Sequence, residues 1–137
     1  MSVKITVLFA LTSLTVAGVT ATKAHAQTEP VPNTRFGAFF YQEYTGAQGY
    51  SVNHASKEDA EANAELECAV FGSGCKHIVT FQGCAAFAEW RKADNEFVYA
   101  YSYNYRTLSE ALNAAMQTCV EKNRGYKCGI TMYACNE

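Results

Sequence analysis

Six cysteines, at 68, 75, 84, 119, 128 and 135, are the most chemically versatile side chains in the sequence. None forms a Cys-x-x-Cys pair, which excludes a thioredoxin-like redox motif. Cys75 and His77 stand two apart, as zinc ligands can, but no second close ligand pair completes such a site, so no metal is expected. His54 or His77 could serve as the general base of a small hydrolase. Glu58, Asp59, Glu61, Glu65 and Glu67 crowd one stretch, where an acid/base pair competes with a cap residue and a solvated helix face. The sequence holds no Gly-x-Ser-x-Gly, His-Glu-x-x-His, phosphate loop or dinucleotide fingerprint, so no catalytic residue and no cofactor are assigned. Phe97, Tyr99, Tyr101, Tyr103 and Tyr105 alternate along one strand and share a face that could stack sugars, though core packing explains them better. Tyr44 lies beside Thr45-Gly46, and Trp90 with Arg91 opens the connection to Asn95. These three form the candidate binding surface, at the tips of two hairpins.

The segments that position these residues begin after an export signal. Met1 to Lys4 is a short basic start, Ile5 to Thr22 carries no charge, and Ala24-His25-Ala26 is a small-x-small cleavage site. Residues 1–26 are therefore expected to be removed before Gln27, leaving no membrane span, with 27–35 a flexible N-terminal segment. Loss of Lys4 and Lys23 leaves nine basic against thirteen acidic residues, a net of −4 that offers no footprint for nucleic acid. An exported domain of this size with an even cysteine count reads as a disulfide framework.

Residues 36–137 then read as a single domain made of one unit used twice, 36–83 and 84–135. A shift of 51 carries Tyr50-Ser51 onto Tyr101-Ser102, Ala60 onto Ala111, Ala64 onto Ala115, Cys68 onto Cys119 and Cys84 onto Cys135. Earlier in each unit the shift is 48, so the second hairpin connection is three residues longer. Each unit has a hairpin and then a capping box, Ser56 to Asp59 or Thr107 to Glu110. A helix follows with a small-residue stripe, ended by a glycine-containing turn, and then a last strand. The expected fold is α+β: two ββαβ repeats sharing one mainly antiparallel sheet, with two helices packed on one face, disulfide-stabilised. Strand parity assigns Tyr50, Val52, Val79, Phe81, Tyr101, Tyr103, Ile130 and Met132 to the helix side, and Ser51, Asn53, Thr80, Ser102, Asn104 and Thr131 to the other.

The same layout restricts the cysteines. Cys75 and Cys84 bracket a strand and would lie roughly 30 Å apart, well beyond the reach of a disulfide. Cys128 and Cys135 fail likewise. The duplication then favours Cys68–Cys75 and its copy Cys119–Cys128, with Cys84–Cys135 joining the units.

The Tyr-Ser strands, the helix containing Asp59-Ala60-Glu61-Ala62-Asn63-Ala64 and ending in Cys68, Cys75 before a strand, and Gly83-Cys84-Ala85-Ala86-Phe87-Ala88 resemble the bacterial secreted family known as domain of unknown function 4189. The resemblance runs from about Phe36 to Cys135 and implies an exported bacterial protein with duplicated units and local disulfides. It implies no catalytic or ligand-binding residue. The expected function is a non-enzymatic binding module in the periplasm or outside the cell, such as an inhibitor or immunity protein acting on another envelope or secreted protein. The alternatives are a small secreted hydrolase or effector using His54 or His77, and a structural envelope protein.

Overall fold

The computed structural model describes residues 34–137, so the expected export signal and residues 27–33 lie outside the described residues. The first unit comprises β1 (Phe36–Tyr41), β2 (Gln48–His54), α1 (Lys57–Phe71) and β3 (Lys76–Phe81). The second comprises β4 (Cys84–Ala93), β5 (Glu96–Tyr105), α2 (Leu108–Lys122) and β6 (Gly129–Cys135). The order is ββαβ twice, all strand pairs are antiparallel, and the fold class is α+β. Both helices start where the sequence places their caps. Thr107 and Glu110 make a reciprocal box, Glu110 reaching back to the Thr107 backbone N–H at 3.2 Å. At α1 the shorter Asp59 instead accepts from the Ser56 hydroxyl at 2.8 Å, while Ser56 caps the Asp59 amide.

The single shared sheet is corrected to two three-stranded sheets, β2-β1-β3 and β5-β4-β6. The central strand of each unit takes both neighbours from its own unit, so no free edge of β1 or β4 remains to join the halves. The sheets stack face to face instead. Phe39, Tyr41, Val79, Phe81, Ala85, Phe87, Met132 and Ala134 form the core between them.

The helices accordingly lie on the two outer faces of the sandwich rather than together on one. Against α1 pack Ala38 and Phe40, and against α2 pack Ala86, Ala88 and Ala100. The helix stripes Ala60, Ala64, Cys68 and Ala111, Ala115, Cys119 are fully buried. The parity expectation is thus reversed for most positions, because each sheet is apolar on both faces; Ile130, which follows a bulge in the β4–β6 pairing, does pack on the α2 side as expected. The small face admits a helix closely, and the aromatic face meets the other sheet. Ser51 and Ser102 point to the helices and donate to the carbonyls of Ala60 and Ala111, which satisfies two buried hydroxyls. Val79, Phe81 and Met132 face the opposite sheet, while Tyr50 is largely exposed.

The halves are also latched to each other. Asn53 and Asn104 both adopt a left-handed conformation (φ 65° and 61°), one that Asn tolerates better than most residues. The Asn53 N–H donates to Asn136 Oδ1 at 2.8 Å, and Asn53 Oδ1 accepts the Glu137 N–H at 2.7 Å. Reciprocally, Asn104 Oδ1 accepts the Gln82 N–H at 2.9 Å. Each hairpin therefore holds the chain end of the other unit. Cys68 is bonded to Cys75, Cys119 to Cys128 and Cys84 to Cys135. The last two are strand partners of β4 and β6 with Cα atoms 4.0 Å apart, so this bridge closes the second sheet on itself and does not join the units as expected.

Candidate functional site

Among the sequence candidates, the hairpin tips are the residues the fold brings together. The first tip is a tight turn in which the Gly46 N–H donates to Gln42 O (2.8 Å) and the Gln42 side-chain oxygen accepts the Thr45 N–H (2.7 Å). Gly46 sits at φ 75°, a conformation that favours glycine. Arg91 reaches across from the second tip. Its guanidinium donates to Glu43 O (2.7 Å), Tyr44 O (3.3 Å) and Asp94 O (3.4 Å), and Nε donates to Glu89 Oε1 (2.9 Å). It also bonds the Tyr41 hydroxyl, which itself donates to Glu89. The Phe97 ring lies under the guanidinium carbon at 4.7 Å, a cation–π distance.

This cluster is enclosed. Tyr41 is fully buried and the Glu89 side chain is 9% exposed. Burial, and then the bond to Glu89, push the Tyr41 phenol far above its ordinary pKa, so it remains protonated. For Arg91, burial favours proton loss, but the bonds to Glu89 and Tyr41 outweigh it and raise its pKa further. Tyr99 donates to Glu43 Oε1 at 3.2 Å and is raised by burial and then by the Glu43 charge. Arg91 is therefore a staple between two loops rather than a free contact residue. Tyr44, 64% exposed, projects from the loop it holds.

Trp90 is not part of that surface. Strand alternation turns it to the other face of β4, where it packs with the helix-side cluster of α2. Sequence reasoning missed Tyr41, Glu43 and Glu89. The available signal is the shift of 48, which places Tyr41 opposite Glu89 and Glu43 opposite Arg91 in the duplication.

The remaining candidates are dispersed. His54 pairs with Phe36 and His77 with Phe40, at opposite ends of the first sheet, so the two histidines do not converge. His77 Nε2 lies 2.7 Å from Thr80 Oγ1 and 3.7 Å from Glu61, but the Thr80 hydroxyl donates to Glu61. Glu61 thus approaches the same ring nitrogen as the hydroxyl and binds the hydroxyl itself, unlike the relay of a catalytic triad. Glu67 accepts the Tyr50 N–H at 2.9 Å, so it and Asp59 bond other residues instead of standing as an acid/base pair. The tyrosine row does not share one face. Tyr99 stacks on Phe87 in the inter-sheet core, Tyr103 packs against that core, and beyond the left-handed Asn104, Tyr105 turns to the α2 side.

The fold and its tips define a class: a duplicated α+β domain of two stacked sheets, stapled by three disulfides, whose two hairpin tips are tied by one arginine. The chain belongs to the family Domain of unknown function (DUF4189), whose family model matches residues 36–135. It is similar to the NMR structure of Rv1813c from Mycobacterium tuberculosis, with a TM-score of 0.54 and 23% identity over 96% of this chain and 100% of that one. No curated protein matches the chain significantly.

Proposed function

We propose that the protein is an exported, non-enzymatic binding module that engages another envelope or secreted protein through its hairpin-tip end, as an inhibitor or immunity protein does. The observation that carries this reading is Arg91. By donating to the backbones of both tips it makes two loops one rigid platform, with Tyr44 standing exposed on it. A preorganised loop loses little entropy on binding, and exposed tyrosine is a favoured anchor of protein contacts. Three disulfides and no free cysteine among the described residues fit an oxidising compartment. No helix among the described residues is long and apolar enough to cross a membrane. The net charge of −4 expected after cleavage favours a basic partner.

The test is capture from envelope and secreted fractions with the oxidised chain as bait, comparing Tyr44→Ala with the parent. Loss of an anchor of this kind costs about 2 kcal/mol, or roughly thirtyfold in affinity. The variant should keep its melting temperature and lose its partner. Equal capture by both baits contradicts the tip assignment.

A further inference from the structure

The two units are one fold used twice, so their differences mark what is particular to the second. Its hairpin connection is three residues longer, and Cys119 and Cys128 are nine apart where Cys68 and Cys75 are seven. Both extensions border one cleft of about 590 Å³ beside the end of α2. That volume lies within the range of small-molecule sites. Trp90, Lys92 and Val98 line it from the hairpin, and Lys122, Asn123, Arg124 and Tyr126 from the helix end and the turn beyond. In the first unit the equivalents of Val98 and Asn123 are Ala47 and Gly72. There the helix end abuts the hairpin, since a Cβ on Gly72 would stand 3.0 Å from that of Ala47.

The lining is specialised. Three cations face one carboxylate, Glu96, in a chain that is acidic overall. Lys92 pairs with Glu96 at 3.4 Å, and Lys122 Nζ donates to Tyr99 O at 3.4 Å. Arg124, held at φ 54° in the turn, has no side-chain partner among the described residues. Asn123 is 8% exposed, and its Nδ2 is buried without a hydrogen-bond partner, an arrangement that native structures rarely leave unused. Trp90 and Tyr126 are the aromatic residues of the lining.

We propose that this cleft binds a small anionic molecule with a planar apolar ring, of the aryl carboxylate class. The ring packs on Trp90 and Tyr126, the carboxylate meets Arg124 with the two lysines, and the Asn123 amide donates to a ligand acceptor. The site goes beyond the proposed protein contact and does not include Tyr44.

Trp90 is the chain's single tryptophan, so its indole N–H gives one reporter resonance in a 15N-labelled sample. Naphthoate, its neutral amide and acetate are titrated into the oxidised protein. Naphthoate should move the Trp90 indole and Asn123 side-chain amide resonances saturably, with the amide and acetate at least about tenfold weaker. Arg124→Gln, at an exposed position, should weaken naphthoate about tenfold, whereas Tyr44→Ala should leave the titration unchanged. No saturable shift in the millimolar range, equal binding of the neutral amide, or an unaffected Arg124→Gln variant overturns the proposal. Because Tyr44→Ala reports on the protein contact alone, failure of either site is told apart from failure of the other.

Discussion

At the scale of single residues, Arg91, Glu89 and Tyr41 form one interlocked group. A buried ion pair adds little over an apolar replacement, but removing one partner strands the other charge. Arg91→Met should destabilise the protein by about 3 kcal/mol in denaturant titration, and the double variant Arg91→Met/Glu89→Gln should recover part of that loss. Tyr41 adds a pH dependence. Its folded pKa is raised above the unfolded value of about 10, so its contribution is complete below that pH and is lost as the pH rises beyond it. Stability should therefore fall in the alkaline range, and Tyr41→Phe should flatten the fall and remove one late transition from the tyrosinate absorbance titration. None of this interlock was visible as a motif. The duplication aligns Tyr41 with Glu89 and Glu43 with Arg91, but the paired positions have diverged into complementary chemistry and share no residue type.

At the scale of elements, the helices were the most legible parts, because caps and small-residue stripes are local signals. Ser56, Thr107 and the stripes Ala60-Ala64-Cys68 and Ala111-Ala115-Cys119 needed no tertiary information. The faces of the strands did. With Ala38 and Phe40 on one side of β1 and Phe39 and Tyr41 on the other, alternation cannot say which apolar face meets a helix. Size decides it. Where β2 meets α1, a Cβ on Gly49 would stand 2.2 Å from Ala64 O and 2.3 Å from Cys68 N, so only glycine permits the approach. Gly49→Ala should lower stability by about 2 kcal/mol in thermal or chemical unfolding, since the obstructing atoms are backbone. The second unit carries Ala100 at the matching position, which shows that α2 sits differently over its sheet.

At the scale of the whole molecule, duplication was readable and its assembly was not. A repeat of this length cannot bury enough surface alone, and that physics requires joined halves without choosing between edge pairing and face stacking. The choice follows from the aromatic face that each sheet turns away from its helix, where Phe39, Phe81, Phe87 and Met132 bury one another. The asparagine latches then secure the stack, while the Cys84–Cys135 bridge ties β4 to β6 within the second sheet. In the chain-entropy picture the two short disulfide loops contribute roughly 2.5 kcal/mol each and the 51-residue loop roughly 4, large beside a typical stability of about 5–15. Excess reductant at body temperature should therefore abolish the native circular-dichroism spectrum, and a spectrum that persists would remove the disulfides from the account of stability. The functional account rests on the platform at the hairpin tips. A photo-crosslinking side chain placed at position 44, with a control at Lys57 toward the opposite end of the first sheet, probes it in living cells. The account predicts one dominant crosslinked protein at position 44 and none at 57; crosslinks absent from 44, or equal at the two positions, would contradict it.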